Sequence, residues 1–234
     1  MGKLVNDKDK VKVIFEDNHI IVVEKPVNVL SQADITGDPD ILTILKYYLK
    51  EKYRKPGKAF LGLVHRLDRP VGGIMVFAKT SKAASRLSKQ IRERTFKKSY
   101  LAVVHGKPDL DSGRLIDLLV KDEDAKIVRV TVEGVKGSKT AVLNYNVIET
   151  KDNLSLVKID ITTGRPHQIR VQFANIGHPL FGDQKYGADV NTPGQQIALW
   201  AHKIEFEHPT LKTVDEYSSS PPKAYPWDMY NLDI

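Results

Sequence analysis

The chain has 234 residues, 41% of them hydrophobic and 28% charged, a composition that excludes wholesale disorder and is typical of a globular protein. It has no cysteine, which excludes disulfides, thiolate nucleophiles and cysteine-ligated metals and fits a reducing cytoplasm. Lysine and arginine total 36 against 29 acidic residues, and the resulting net charge of +7 is a weak indication of a polyanionic partner.

The sequence gives no sign of a membrane or secretory segment. No apolar run approaches the roughly 18–20 residues that a membrane-spanning helix needs. The amino-terminal MGKLVNDKDKVK is charged and lacks the apolar core of a secretory signal. We therefore expect a cytoplasmic protein with no membrane partner, and a flexible amino terminus over residues 1–10.

In the first part of the chain, apolar residues alternate in some segments and recur at helical spacing in others. Alternation or a short apolar run predicts strands at Val11–Phe15, Ile20–Val23, Ala59–Val64 and Ile74–Ala78. Helical spacing predicts a helix over Asp40–Tyr53 and another that begins after a cap at Thr80-Ser81. The last two strands flank a charged loop, His65–Gly73.

The second part of the chain is predicted to be mostly strands with one helix. The strands are Tyr100–Val104, Ile127–Val132, Thr140–Ile148, Leu154–Ile161, Ile197–His202 and Lys203–Phe206, and the helix is Gln168–Asn175. Residues 217–234 are predicted to form an extended carboxy-terminal tail. Runs of strands with a few helices indicate an α+β fold with a mixed, largely antiparallel sheet. We predict one catalytic domain over residues 1–234, with flanking helices and a central active-site cleft.

The first candidate motif is Leu61–Thr80, LGLVHRLDRPVGGIMVFAKT. Its one carboxylate, Asp68, stands among His65, Arg66 and Arg69, and nearby positive charge favours the ionised form that a nucleophile or base requires. Proline stiffens the chain after Arg69, and Gly72 and Gly73 permit a turn. An ion-paired surface turn is the alternative interpretation.

The second candidate motif is Thr162–Asn175, TTGRPHQIRVQFAN. Basic and polar side chains cluster where the helix is predicted to begin: Arg165, His167, Gln168 and Arg170. A helix amino terminus with added arginines attracts phosphate or carboxylate, so Arg170 could pair with Asp68. A basic helix start with His167 packed locally is the alternative.

Two further surfaces could contact nucleic acid. Tyr100 follows Lys97-Lys98-Ser99, and an aromatic beside lysines suits stacking on a base, although a tyrosine at a strand start is also common in a core. On the helix after Thr80, the basic residues Lys82, Arg86 and Lys89 lie opposite the apolar face. They could contact phosphates or form an ordinary solvated surface.

Taken together, these motifs resemble the RluA family of RNA pseudouridine synthases. The similar segments are IFEDNHIIVVEKP, HRLDRPVGGIMVFAKT, KKSYLAVVHG, TTGRPHQIRVQFANIGHPLFGDQKYG and LWAHKIEFEHP, and together they cover roughly Val11 to Pro209. Two departures from the family pattern are Val71-Gly72-Gly73, where relatives have Thr-Ser-Gly or similar, and the missing amino-terminal S4-type RNA-binding domain. The first departure implies a slightly altered turn.

The resemblance implies a function for the chain and a role for each motif. The chain would isomerise specific uridines of ribosomal or transfer RNA, with Asp68 as the catalytic carboxylate on a flipped-out uridine. Tyr100 would pack on the target base, Arg170 would pair with Asp68, and Arg66 would help to hold the nucleotide out of the stack. The other expected RNA-binding residues are His65, Arg69, Lys82, Arg86, Lys89, Arg165 and His167.

The resemblance and the composition also bear on cofactors, oligomeric state and rival functions. The isomerisation adds no atom and changes no oxidation state, so no cofactor and no metal are expected, and a monomer is the default. A catalytically inactive RNA-binding protein is one rival interpretation. A glycosidase is another, but that class uses two carboxylates and this loop has one.

Overall fold

The computed structural model describes residues 11–54, 57 and 59–233, so the prediction for residues 1–10 lies outside the described residues. Within these ranges the regular elements are, in chain order, β1 (Lys12–Glu16), β2 (Ile20–Lys25), α1 (Ile41–Lys52), β3 (Gly62–Leu63), β4 (Gly72–Ala78), α2 (Ser81–Glu93), β5 (Lys97–His105), β6 (Ser112–Asp122), β7 (Ile127–Thr131), β8 (Lys139–Lys151), β9 (Leu154–Ile161), α3 (Gln168–Asn175), β10 (Leu199–Glu207), β11 (Val214–Ser218) and a 3-10 helix (Trp227–Met229).

The chain divides into two units. The first contains the described residues up to Phe96 together with Ala201–Ser219, and the second contains Lys97–Trp200 and the residues from Ser220 onwards. In the first, the strand order is β1-β2-β4-β10, with β3 paired to β4 and β11 to β10; in the second it is β5-β9-β8-β6-β7. Antiparallel pairing dominates both orders. The predicted α+β class with a largely antiparallel sheet is confirmed.

The core of the first unit is built on β2 and β4, whose apolar side chains are fully buried. Strand β2 pairs with β4 from Ile20 opposite Ala78 to Lys25 opposite Gly73. Helix α1 buries four aliphatic residues on one face, and α2 buries Ala83 and Leu87. The caps follow the sequence: Asp40 accepts a hydrogen bond from the Thr43 amide, and Thr80 accepts one from the Ala83 amide.

Glu16, at the end of β1, ties three elements of the first unit together. Its carboxylate accepts hydrogen bonds from Tyr48 and Lys52 of α1, from Tyr53 and from Lys79, which follows β4. Burial raises the pKa of Glu16, but the hydrogen bonds from Lys52, Lys79 and Tyr53 and the charge of Lys79 outweigh burial and lower the pKa to about 2. The carboxylate is therefore ionised at neutral pH, and its hydrogen bonds connect β1 to α1 and to the end of β4.

In the second unit, helix α3 covers one face of the strands. Phe173 meets Tyr145 of β8 edge-on, with ring centroids 5.5 Å apart. Val171 packs in a buried cluster with Leu119, Val128 and Ala141 from β6, β7 and β8. Because two residues of one short helix reach three strands, α3 is fixed in position, and so are the polar residues at its amino terminus.

Several predicted elements differ from the observed ones. Strands β6 and β11 were not predicted, the predicted strand Ala59–Val64 is regular only at Gly62–Leu63, and Ile197–His202 and Lys203–Phe206 form the single strand β10. The predicted extended tail starts inside β11, at Tyr217, and reaches the 3-10 helix without other regular structure. None of the described helices has the length and apolar character needed to cross a membrane.

Candidate active site

The loop that carries Asp68 is held by its main chain. The Ser31 hydroxyl donates to the Leu67 carbonyl at 2.7 Å and accepts from the Leu67 amide at 3.1 Å, in a buried setting. One residue further on, the Asp68 carbonyl accepts from the Val71 amide at 3.0 Å, which closes a turn. The Asp68 side chain is half-buried and extends from this fixed backbone.

Lys25 supports the same loop from the end of β2. It is fully buried, and its ammonium donates to the carbonyls of Pro26, Val29 and Arg69 at 2.9, 2.6 and 3.2 Å. Burial lowers the pKa of Lys25 to about 7; the Asp68 carboxylate acts against this shift and Arg69 adds to it. The buried ammonium of Lys25 therefore lies within electrostatic reach of the Asp68 carboxylate.

The three basic residues predicted around Asp68 lie in different environments. His65 is buried, accepts a hydrogen bond from the Val76 amide at Nε2, 3.1 Å away, and packs against the Phe96 ring, so it has a structural role that the sequence did not predict. Arg66 is exposed. Arg69 pairs at 2.8 Å with Asp38, and both side chains are nearly half exposed. RNA contacts of these three residues stay predictions.

The turn predicted at Gly72 and Gly73 is wrong, because both residues belong to strand β4 and the turn is formed by Asp68–Val71. Gly73 has φ +119°, and a Cβ at this position would lie 2.3 Å from the Ala201 carbonyl oxygen. Glycine is therefore required by the close approach of two main chains, and not by a reversal of the chain.

The basic face of α2 is only partly available to a ligand. Lys82 is exposed, and so is Lys89, whose ammonium lies 3.7 Å from the Glu93 carboxylate. Arg86 is half-buried and donates to the Pro209 carbonyl. Beside it, Gln90 exchanges two hydrogen bonds with the main chain of Glu207. Arg86 thus helps to attach α2 to the segment after β10.

In the second unit, Tyr100 is the fourth residue of β5 and is buried, with 8% of its surface exposed. It stands opposite Ile159 of β9, so its side chain is on the face that α3 covers. The sequence left open whether Tyr100 belongs to the core or to a binding surface. In the structure Tyr100 is buried on the face of the sheet that α3 covers.

The loop before α3 is locked to β8 by polar side chains. Gln168 accepts from the Thr163 hydroxyl and the Arg165 amide, and donates to the Val142 carbonyl. The Arg165 guanidinium donates to the Thr140 carbonyl at 2.9 Å. His167 precedes α3 in a left-handed conformation, φ 51°, without capping the helix through its side chain. The start of α3 is therefore rigid before any ligand binds.

Arg170 has a carboxylate partner within its own unit that sequence reasoning missed. Its Nε and Nη2 donate to the two oxygens of Asp183 at 2.7 and 2.8 Å, and both residues are buried. The Tyr186 ring lies under the guanidinium, with 5.2 Å from Cζ to the ring centroid. Asp68 belongs to the other unit, so its pairing with Arg170 stays a prediction.

Tyr186 also fixes the orientation of His167. The Tyr186 hydroxyl accepts a hydrogen bond from the Val128 amide at 2.9 Å and lies 2.7 Å from His167 Nδ1. The hydrogen bond between the Tyr186 hydroxyl and Nδ1, whose donor depends on the tautomer of His167, holds the imidazole ring in place.

The structure thus adds four residues that no motif search singled out: Lys25, Ser31, Asp183 and Tyr186. The available signals were the EKP segment at the end of an apolar strand and the FGDQKYG segment that closes the third motif. In the described part of the chain, no group of three or more histidine, aspartate and glutamate residues could hold a metal ion.

Comparison with sequence families and curated proteins gives a consistent result. The family model described as RNA pseudouridylate synthase matches residues 19–175. The chain is 33% identical over 99% of its length to the uncharacterized RNA pseudouridine synthase YhcT of Bacillus subtilis (strain 168), of which it covers 74%. It is 32% identical over 97% of its length to ribosomal large subunit pseudouridine synthase D of Pseudomonas aeruginosa (strain PAO1), of which it covers 73%.

Comparison with solved structures supports the fold. Human RNA Pseudouridylate Synthase Domain Containing 4 superposes with a TM-score of 0.77 at 22% identity, covering 94% of this chain and 92% of that one. Human RNA Pseudouridylate Synthase Domain Containing 1 superposes with a TM-score of 0.72 at 23% identity, covering 94% and 86%. At these identities the two matches bear on the fold alone.

Proposed function

The chain belongs to the RNA pseudouridylate synthase family and is an RNA pseudouridine synthase, and we propose that it isomerises specific uridines of large-subunit ribosomal RNA with Asp68 as the catalytic carboxylate. The observation that carries the assignment of Asp68 is the loop itself. Asp68 is the one carboxylate between His65 and Gly73, and Ser31 and Lys25 immobilise the main chain on either side of it.

The chemistry defines what this carboxylate must do. Conversion of uridine to pseudouridine breaks the N1–C1′ bond, turns the uracil and joins C5 to C1′, without oxidation or reduction. The target nucleotide first leaves its stack, at a cost of about a few kcal/mol. Asp68 then acts on the ribose, either by attacking C1′ or by removing the proton on C2′. Both routes start from an ionised carboxylate.

The second unit supplies the proposed partners of the reaction. Arg170, oriented by Asp183, pairs with the Asp68 carboxylate and supports its charge. Tyr100 packs on the extruded uracil and is a candidate for removing the C5 proton late in the reaction. Arg66, exposed on the loop, helps to keep the nucleotide out of the helix. These roles follow the resemblance to the RluA family. The two hydrogen bonds that fix the Arg170 guanidinium against Asp183 support the role of Arg170.

The substrate class comes from the relatives, since the Pseudomonas protein is named for the ribosomal large subunit. Transfer RNA is the competing substrate class. Large-subunit ribosomal RNA and a pool of transfer RNAs, both transcribed in vitro, serve as parallel substrates for the purified protein, with pseudouridines mapped by carbodiimide primer extension. Modification of transfer RNA alone would reject the ribosomal assignment and leave the isomerase activity in place.

Asp68→Asn is the decisive variant. We expect it to lower the rate of pseudouridine formation roughly a thousandfold or more, because the amide can neither attack C1′ nor accept the proton. Asp38→Asn is the matched control, since Asp38 is a half-exposed carboxylate that pairs with Arg69, a residue of the Asp68 loop. Continued modification by pure Asp68→Asn protein would reject the assignment.

A further inference from the structure

Lys98, the second residue of β5, is a half-buried lysine without a partner in the described part of the chain. Its ammonium makes no hydrogen bond or ion pair there. Burial lowers the pKa of Lys98, and no carboxylate contributes to the shift. A partly desolvated charge that nothing compensates costs free energy, and such groups in folded proteins are normally paired. Lys98 is an exception to this rule, and an anionic ligand would supply the partner that its ammonium lacks in the described part of the chain.

The position of Lys98 follows from the strand register. Ser99 is opposite Asp160 and Tyr100 is opposite Ile159, so Lys98 and Tyr100 are on the same face of β5. The same face of β9 and β8 carries Ile159 and Tyr145, and α3 covers it. This apolar wall accounts for the desolvation of the Lys98 ammonium.

Lys98 is at the end of that face, next to the loop before α3. A Cβ on Gly164 would lie 3.4 Å from the Lys98 Nζ, so the amine rests against the backbone of this loop. The charged groups nearby are already engaged: Arg165 with the Thr140 carbonyl and Arg170 with Asp183, while Asp160, on the other face of the sheet, accepts a hydrogen bond from Ser99. The titratable groups on the same face or at the helix start are Tyr100, Tyr145 and His167. The unmatched charge is therefore positive.

We propose that Lys98 is a phosphate ligand, whose ammonium binds a backbone phosphodiester oxygen of the RNA beside the target nucleotide. The proposal rests on the proposed function, because it requires the target RNA to reach the end of this face at which Lys98 lies. A phosphate restores the missing charge partner of the ammonium, and a charge-assisted hydrogen bond in a partly dry setting is stronger than one in water. Phosphate contacts position the nucleic acid without reading its sequence.

The test compares Lys98→Met, Lys98→Arg and the control Lys107→Met. Methionine has a similar length without the charge, and arginine keeps the charge at any working pH. Lys107 lies past the other end of β5 and is already paired with Asp111. The probe is large-subunit ribosomal RNA transcribed in vitro, or the transfer RNA pool if that is what the wild type modifies. Filter binding across a range of salt concentrations and steady-state pseudouridine formation are both measured.

We expect Lys98→Met to raise KM about ten- to a hundredfold with little change in kcat. The slope of log K against log salt should fall by about 0.7–0.9, the value for one bound phosphate. Lys98→Arg should recover most of the affinity, and Lys107→Met should match the wild type. Thermal unfolding should show Lys98→Met to be no less stable than the wild type, because the substitution removes an unpaired, partly buried charge.

The pH dependence gives an independent readout. An ammonium binds phosphate only while protonated, so the wild-type KM should rise as the pH climbs through the lowered pKa of Lys98, and the KM of Lys98→Arg should not. An unchanged KM and salt slope in Lys98→Met would overturn the proposal, as would a weaker affinity at constant slope that arginine does not restore. A wild type that forms no pseudouridine in either RNA would refute the proposed function, whatever the variants do.

Discussion

Arg170 is oriented before it meets any ligand. The two oxygens of Asp183 bind its guanidinium and the Tyr186 ring supports it from below, all within the second unit. A guanidinium fixed in this way loses little side-chain entropy when it engages a further carboxylate or phosphate. The arginine that the resemblance assigns to catalysis is therefore a preorganised group, and Asp183 is the residue that positions it.

Asp183→Asn should be strongly destabilising. The substitution leaves a buried guanidinium without its compensating charge, and removal of one partner of a buried ion pair costs about 3–5 kcal/mol. Urea unfolding at pH 7 measures the decrease in stability. The control is Asp189→Asn, an exposed residue of the same segment, which should stay within about 0.5 kcal/mol of the wild type. Equal stability of the two variants would show that the ion pair contributes nothing.

At the scale of elements, strand β4 joins the Asp68 loop to the core of the first unit. Gly73 is the position of β4 at which an added side chain would disturb the packing. The residue has a positive φ, and the main chain of Ala201 occupies the space where a side chain would begin. Displacement at this point would move the strand that follows the loop.

Gly73→Ala should cost more than Gly134→Ala. Both glycines have a positive φ, but a Cβ at Gly134 meets nothing within 4 Å, whereas one at Gly73 would overlap the Ala201 carbonyl. We expect about 1 kcal/mol for the strain alone at Gly134 and at least about 2–3 kcal/mol at Gly73. Thermal unfolding of the two variants gives the comparison, and similar destabilisation would mean that β4 and its neighbour separate easily.

Helix α2 has two exposed lysines, Lys82 and Lys89, that are predicted to contact RNA. Arg86 donates a hydrogen bond to the Pro209 carbonyl, so its substitution would lower the stability of the protein as well as any RNA affinity, and the two effects could not be separated. Lys82→Gln with Lys89→Gln should instead weaken RNA binding and lower the salt slope by about 0.7–0.9 for each phosphate that the helix no longer binds. Filter binding measures the slope, and an unchanged slope would identify this face as ordinary solvated surface.

Local chemistry made some elements predictable and left others hidden. Helices α1 and α2 were found because Asp40 and Thr80 cap them and their apolar spacing is regular. Strand β6 was missed because Gly113 and the charged residues Arg114 and Asp117 weaken its alternation, and its pairing with β7 and β8 is what makes it a strand.

The same distinction applies to the candidate site. Asp68 stands out in the sequence as the one carboxylate of a loop that contains a proline, and Arg170 stands out as a charge near the start of a helix. The importance of Lys25 depends on three carbonyls, one of them 44 positions away, and no local pattern marks such a convergence. Asp183 was hidden for the same reason, since its partner is 13 positions away on a different element.

At the scale of the whole molecule, Lys25 makes folding stability depend on pH. The pKa of Lys25 is about 7 in the folded protein, whereas the pKa of a lysine in an unfolded chain is about 10.4. Between these values the unfolded chain holds a proton that the folded protein has released. Stability therefore rises with pH through this window, and the full cost of burying the ammonium is present below it.

Lys25→Met should remove this dependence. The difference in unfolding free energy between wild type and variant should change by about 1.4 kcal/mol per pH unit, in favour of the wild type, as the pH rises from about 7 toward 10. Urea unfolding of both proteins at several pH values measures it, and groups common to both cancel in the difference. Parallel profiles would mean that Lys25 has an ordinary pKa in the folded state.

The Asp68 loop is attached through its backbone, which separates the proposed catalytic carboxylate from the side chains that are predicted to contact RNA. Ser31 and Lys25 bind only main-chain atoms of the loop, and the side chains of Arg66 and Arg69 are exposed. We therefore predict that substitution of those arginines alters which RNA is accepted while the carboxylate keeps its place. An enzyme built this way can acquire new targets through surface mutations alone, whereas a change at the buried lysine or serine would disturb every target at once.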